Sequence, residues 1–458
     1  MSNIASAASL YEKQAKIYPH DVKGPFATLR RVAVYVLLGL FYGVVWLTWD
    51  SRQAVLFDLP ARQFHIFGLT LWPQDFIYLA LLLLILALIL FFVTALAGRL
   101  WCGYACPQTV WTEAFLLLER WTEGPRNKRM KLDRGPMTRE KFMRKSAKQF
   151  LWITFSLWTG LTFVGYFTPI RGLLADTLTW SMHPWAVFWL FFYGFATYGN
   201  AGYLREQVCK YMCPYARFQS AMFDKNTLII AYDENRGEAR GGRKKNAERA
   251  EGVGDCIDCT LCVQVCPTGI DIREGLQYEC IACAACIDVC NDVMTKMDYP
   301  TNLIRYTTEN ADNGSPAKIL RPRILLYTAL LLTITTGMLV SLTTRTPLRM
   351  EVIRDRNALY RLVADEKVEN VYTLRVINMT DEAQTYSLSL QGADGFDADV
   401  PALTVAAAQT QAFPIRLRTH QANGVGRIPV TVILTAERDD NVQVERTTNF
   451  FFPMPSNE

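Results

Sequence analysis

Histidine is scarce in this chain: four residues in 458, at His20, His65, His183 and His420. There is no H-E-x-x-H, no G-x-S-x-G and no Gly-rich phosphate loop. Zinc hydrolase chemistry, serine hydrolysis and nucleotide hydrolysis therefore have no support in the sequence. Tryptophan is missing outside Trp46–Trp189, and residues 344–458 contain no cysteine. The C-terminal part thus does without disulfides, and no cleavable leader is expected, because the first apolar run begins only at Val32 and is too long for one.

What the chain does have is twelve cysteines in an unusual arrangement. From Cys256 to Cys290 it reads CIDCTLCVQVCPTGIDIREGLQYECIACAACIDVC, two copies of C-x-x-C-x-x-C-x-x-x-C. In such a run three close thiolates wrap one iron–sulfur cubane and the fourth cysteine ligates the other. The expected ligand sets are Cys256, Cys259, Cys262 and Cys290 for one [4Fe-4S] cluster, and Cys280, Cys283, Cys286 and Cys266 for the second. Pro267 follows the fourth cysteine of the first copy, whereas Asn291 stands there in the second. Zinc would leave the double quartet unexplained, and disulfides between neighbouring C-x-x-C cysteines would be strained.

Half of the residues are hydrophobic, and they are bunched. Runs at 32–49, 76–97, 150–168, 185–198 and 324–342 approach or exceed the roughly 20 residues that span a bilayer. The net charge of +5 is unevenly spread, with twelve Lys or Arg between 98 and 148. The positive-inside rule puts the N-terminus, 98–148 and 200–322 in the cytoplasm and leaves the C-terminus outside. The basic clusters flank spans, so no nucleic-acid binding is expected. The segmentation expected is a tail at 1–31, a four-span domain at 32–222, a linker at 223–255, a ferredoxin domain at 256–300, a connector at 301–322, a fifth span at 323–343 and an outer domain at 344–458.

Within the four-span part, Cys102-Gly-Tyr104-Ala-Cys106-Pro107 and Cys209-Lys-Tyr211-Met-Cys213-Pro214 superimpose on a shift of 107 residues. Each follows a predicted hairpin, so an internal repeat is expected that brings four thiols together at the cytoplasmic membrane edge. If each C-x-x-x-C is helical, its two sulfurs share a face. Four such thiols suit soft copper, a further iron–sulfur centre, or protons alone. On an outer loop, Met182 and His183 form a weaker candidate for meeting copper, with His65 as a possible third member. His420 stands alone. Beyond Leu348, alternating stretches such as VYTLRVINMT and VTVILTAERD predict five to seven short strands in an immunoglobulin-like sandwich.

This order of parts resembles the CcoG family, also called FixG or RdxA, over nearly the whole chain. The resemblance implies a bacterial inner-membrane protein that reduces cupric to cuprous copper for assembly of cbb3-type cytochrome c oxidase. It implies that the eight cysteines of 256–290 are cluster ligands and that Cys102, Cys106, Cys209 and Cys213 are the family's membrane-edge pairs. The resemblance implies oxidase assembly factors or copper chaperones as partners; the bilayer, an electron donor that is cytoplasmic or a quinol, and a second copy of the chain are expected beside them. Similarity to quinol-oxidising subunits of nitrate and nitrous oxide reductase systems supplies an alternative function, and a structural assembly scaffold a third.

Overall fold

The computed structural model describes residues 16–49, 52–245, 252–356, 358–364, 367–380, 382–392, 395–420 and 426–453. They form two compact units, one up to Ile66 with Leu71–Thr335, the other Phe67–Thr70 with Thr336 onward.

The first unit opens with helix α1 (Pro25–Val44). The tail expected at 1–31 is therefore too long at its C-terminal end, and its first fifteen residues lie outside the described ones. The helix starts early because Pro25 occupies the first position, where its missing N–H costs nothing. The orphan amides behind it are satisfied from far away: Ala27 N–H donates to Asp288 Oδ2 at 2.7 Å. Gly24 admits that carboxylate, since a Cβ there would lie 2.3 Å from Asp288 Cγ.

Helix α2 (Phe76–Ala97) is apolar all round, and Phe76, Ile77, Leu83 and Leu86 are exposed on it. It stops at Gly98, whose φ of +56° is a left-handed conformation that glycine adopts without penalty. The segment from 98 to 148, expected as a loop, holds α3 (Leu100–Tyr104), α4 (Pro107–Glu123), α5 (Arg126–Arg134) and the start of α6 (Arg139–Gly165). Its basic residues are ordered by two buried acids of α4. Glu119 pairs with Arg129 at 3.1 Å, and Glu123 with Lys145 and Lys148 at 2.9 Å each.

Then come α7 (Ile170–Thr179) and α8 (Pro184–Thr197), wide π-helical turns at Tyr198–Leu204 and Val208–Met212, and α9 (Pro214–Met222). Helices α6 and α8 touch backbone to backbone: a Cβ on Gly160 would sit 2.3 Å from Leu190 O. Small residues at such crossings let helices approach closely enough for dispersion contact. Among the described residues, three helical stretches are long and apolar enough to cross a membrane: Pro25–Val44, Pro73–Ala97 and Pro322–Thr343. Of the other two expected spans, α6 begins with ten residues rich in charge, and α8 runs only 14 residues before the wide turns.

The cysteine-rich part is wider than the 256–300 expected. Strand Ile229–Tyr232, assigned to a linker, pairs antiparallel with Ile304–Thr307, assigned to an irregular connector. Together with helices Leu261–Gln264 and Ala285–Lys296 they enclose a core of Ile230, Ile272, Ile287, Met294, Leu303 and Ile304. The run at Ile229–Tyr232 reads as strand-like in the sequence, but its partner lies too far along the chain to be named from it.

The second unit is a sandwich. One sheet orders Asp397–Asp399, Thr410–His420, Lys367–Asn378 and Leu348–Arg354; the other Leu403–Val405, Gln384–Gln391, Arg427–Ala436 and Asp439–Phe451. Period-2 alternation turns Leu374, Val376, Ile415, Leu417, Val432 and Leu434 inward. Tyr372 OH donates to Asn449 O at 2.8 Å, tying the sheets together.

Candidate functional site

Both cysteine runs use the same backbone device. Asp258 and Thr260 in the first, Ala282 and Ala284 in the second, adopt left-handed φ values of 50°, 56°, 54° and 59°. The spacing from Asp258 to Ala282 equals that from Thr260 to Ala284. Left-handed residues at alternate positions turn successive N–H groups to one side, a concavity suited to an anionic group. Each such residue costs roughly 1–2 kcal/mol, a strain that persists where the surroundings impose it.

Two cavities result. One is lined by Cys256, Cys259, Cys262 and Cys290 among Leu261, Val293 and Leu303. The other is lined by Cys266, Cys280, Cys283 and Cys286 among Ile230, Ile270 and Ile272, with Cys262 on their shared wall. Cys256, Cys259 and Cys290 thus line one cavity, Cys266, Cys280, Cys283 and Cys286 the other, and Cys262 both. Of the eight cysteines only Cys259 is exposed. Burial pushes the thiols of Cys262, Cys280 and Cys290 up to about 12, so loading metal there means displacing protons. Among the described residues, no three Cys, His, Asp or Glu side chains converge on a point that could hold one metal ion. The thiols of the two quartets line enclosed spaces, as the ligands of a four-iron cubane would. Thr268 Oγ1 lies 3.3 Å from Cys266 Sγ, a hydrogen bond of the kind that tunes such a centre.

The repeated motif forms a second thiol site. Cys102 sits in α3, Cys209 in a wide turn, and Cys106 and Cys213 cap α4 and α9 in extended conformation, with ψ of 130° and 110°. The expected continuous helix through each C-x-x-x-C is absent, because the residue before a proline is pushed out of the helical region. The four thiols are nonetheless within electrostatic reach of one another. Cys102 Sγ donates to Gln219 Oε1 at 3.3 Å, and Gln219 Nε2 to Thr94 Oγ1 at 3.4 Å, which pins α9 to α2. Arg99, whose guanidinium donates to Ala216 O, is within electrostatic reach of Cys102, Cys209 and Cys280. Arg205, four residues before Cys209, is held by Glu119 at 3.0 Å.

Met182 and His183 have structural employment instead. Met182 packs beside Leu161 and Leu173 and accepts a hydrogen bond from Thr177 Oγ1 at 3.2 Å, while His183 Nδ1 caps α8 by accepting from Trp185 N–H at 3.3 Å. The sequence reading missed Gly103, Arg99, Gln219 and Glu119. Only Gly103, placed between Cys102 and Tyr104, carried a local cue.

Family comparisons agree with this layout. A 4Fe-4S dicluster domain matches residues 204–309, a 4Fe-4S binding domain residues 79–123, and the Ig-like fold at the C-terminus of FixG residues 338–453. Nitrogen fixation protein FixG of Rhizobium meliloti is 39% identical over 84% of this chain and 80% of its own length. Protein RdxB of Cereibacter sphaeroides is 43% identical over 84% and 83%, and protein RdxA of that organism 39% over 84% and 84%. A crystal structure of a FixG-related protein from Vibrio parahaemolyticus is 29% identical, covering 24% of this chain and 98% of that one at a TM-score of 0.22. With relatives of this identity along most of its length, an Ig-like C-terminal domain of the FixG type and 4Fe-4S domains before it, the chain is an iron–sulfur redox protein and belongs to the FixG/RdxA family.

Proposed function

We propose that this protein is a cupric reductase of the bacterial inner membrane that delivers cuprous copper for maturation of cbb3-type cytochrome c oxidase. The observation that carries the reading is the placement of four thiols beside one of two cysteine-lined cavities. Each cubane, when bound, stores one electron. Cys256, Cys259, Cys262 and Cys290 would hold one and Cys266, Cys280, Cys283 and Cys286 the other.

Copper is the substrate. Cys102, Cys106, Cys209 and Cys213 offer it soft donors, which favour the cuprous over the cupric ion, so thiol coordination and reduction assist each other. An open set of thiols, unlike a closed cage, also lets the product leave. Buried Arg99 offsets the negative charge that builds when these thiols ionise around the metal. Gln219 orients Cys102 within the set.

In this reading five spans cross the bilayer: α1, α2, the apolar part of α6, α8 continued through its wide turns, and Pro322–Thr343. The cysteine-rich part lies in the cytoplasm, and the sandwich outside, where a copper chaperone or an oxidase assembly factor docks. The test is catalytic turnover by the purified, anaerobically handled full chain. With a low-potential reductant it should produce cuprous ion, trapped by a cuprous-specific chelator, in proportion to its iron and sulfide. Quinol that reduces the protein while cupric ion leaves it reduced would favour a respiratory subunit instead.

A further inference from the structure

The two cavities are built alike but neighboured differently. We infer that the cavity of Cys266, Cys280, Cys283 and Cys286 is the one that exchanges electrons with the thiol site, and that Gly103 is the positioning residue holding Cys102 against it. The inference rests on the reductase reading for its acceptor, and on packing alone for its geometry.

Gly103 is the first support. It lies inside α3, where glycine costs about 1 kcal/mol relative to alanine and its φ is not left-handed, so backbone conformation does not call for it. Contact does. A Cβ on Gly103 would stand 2.7 Å from Ile281 O, 3.0 Å from Ala282 O and 3.0 Å from Cys283 Cα. Those are the residues that carry the chain from Cys280 to Cys283, and all three obstructing atoms are backbone, which cannot swing aside. At the equivalent position of the second motif the residue is Lys210, which has no such constraint to obey.

Three further contacts converge on the same loop. Cys102 packs on the cluster of Val265, Ile281, Cys283 and Ala285 that Cys286 also joins. Tyr306 OH donates to Ala282 O at 2.7 Å and stands 3.4 Å from Tyr104 OH. Arg30 Nη1 donates to Cys283 O at 3.3 Å, and Arg99 is within electrostatic reach of Cys280 as well as Cys102. A hydrogen bond from Thr268 favours the more negative, reduced level of a cubane there. The other cavity has Arg273 on its wall, engaged by Asp271 and Asp258 as Arg30 is by Glu113 at 3.6 Å. Its exposed Cys259 faces outward, which suits it to receive electrons from an external donor.

The electron balance is simple. A cubane held by Cys266, Cys280, Cys283 and Cys286 would supply the one electron that a cupric ion at the thiols takes up in becoming cuprous, and the thiol protons displaced on binding the metal would leave to solvent. An outer cubane held by Cys256, Cys259, Cys262 and Cys290 would supply the replacement electron, drawn in turn from the donor.

The test compares Cys259→Ser, Cys286→Ser and Gly103→Ala in the full chain, each checked for iron, sulfide and electron paramagnetic resonance. After chemical reduction and removal of excess reductant, cupric ion should reoxidise the Cys286→Ser protein at least about tenfold more slowly than the Cys259→Ser protein. Gly103→Ala, with both cubanes retained, should also slow by about tenfold, given how steeply such steps depend on ångström-scale placement. Equal rates, or the reverse order, overturn the inference. A readout that needs no copper separates it from the reductase reading. Gly103→Ala must shift the resonance signal and midpoint potential of the cubane lost in Cys286→Ser and leave those of the cubane lost in Cys259→Ser in place. A shift in the outer cubane, or in neither, refutes the assignment even if copper is never reduced. Should Gly103→Ala fail to hold its clusters, the two cysteine variants decide by their order.

Discussion

Two copies of C-x-Y-x-C-P, 107 residues apart, end up in different surroundings. Around the first, Tyr104 is 9% exposed, Cys102 is fastened to Gln219, and α3 presses on the loop at Ile281–Cys283. Around the second, Tyr211 is 63% exposed, the turn is π-helical, and the chain is anchored one step back, through Arg205 to Glu119. Only the proline caps are the same: Pro107 and Pro214 each open a helix behind an extended cysteine. A repeated motif therefore fixes where thiols leave a helix start, and its neighbours decide what each copy does. The first copy is set against the cysteine-rich core. The second borders a cavity that also touches Gln108, Arg120 and Cys283.

The comparison can be broken from either side. The largest effect is expected from Glu119→Gln, which leaves Arg129 and Arg205 buried without their shared carboxylate. Losing one partner of such a set costs about 3–5 kcal/mol. In detergent the thermal midpoint should fall sharply, and thiol labelling should accelerate at Cys209 more than at Cys102. Next, Tyr104→Ala should cost about 3 kcal/mol through a lost buried ring, whereas Tyr211→Ala should stay within about 0.5 kcal/mol. Equal losses in the two unfolding curves would mean that the copies are packed alike. Gln219→Leu removes the acceptor for Cys102 and should cost about 1–2 kcal/mol while speeding alkylation of Cys102 alone.

The smallest effect concerns pH. Burial by itself would raise the Asp133 carboxyl, but hydrogen bonds from Lys145, Tyr18 and Lys16 hold it well below the usual carboxylate range. A carboxyl lowered by folding contributes stability that is present above its unfolded value and lost as pH falls through the folded one. Proteolysis at Lys16 should thus stay slow from pH 8 down to about pH 4 in the parent protein, and be faster throughout in Asp133→Asn.

The sequence reading reached furthest where chemistry dictates spacing or burial dictates period. Eight cysteines at cubane spacing name their own grouping, and alternation through VYTLRVIN names a half-buried strand. It stopped where partners are remote. The capping of α1 by Asp288, the pairing of Ile229–Tyr232 with Ile304–Thr307, and the fit of Gly103 against Ile281 all join residues far apart in the chain. The basic stretch between 98 and 148 reads only as a cytoplasmic flank of the spans until Glu119 and Glu123 are seen to be buried among its charges. Apolar length overstated the unbroken spans, since wide turns after Thr197 and a charged first part of α6 are side-chain and backbone adjustments that hydropathy does not register.

The measurement that tests the account most directly is a single-turnover titration. Chemically reduced protein, freed of reductant, is mixed anaerobically with cupric ion while cluster absorbance and cuprous-chelator colour are followed together. The account predicts one cuprous ion for each cubane reoxidised, and a markedly slower reaction in Cys102→Ser and Cys209→Ser proteins that retain their iron. Clusters that remain reduced in the presence of cupric ion, or thiol variants that react as fast as the parent, would contradict it.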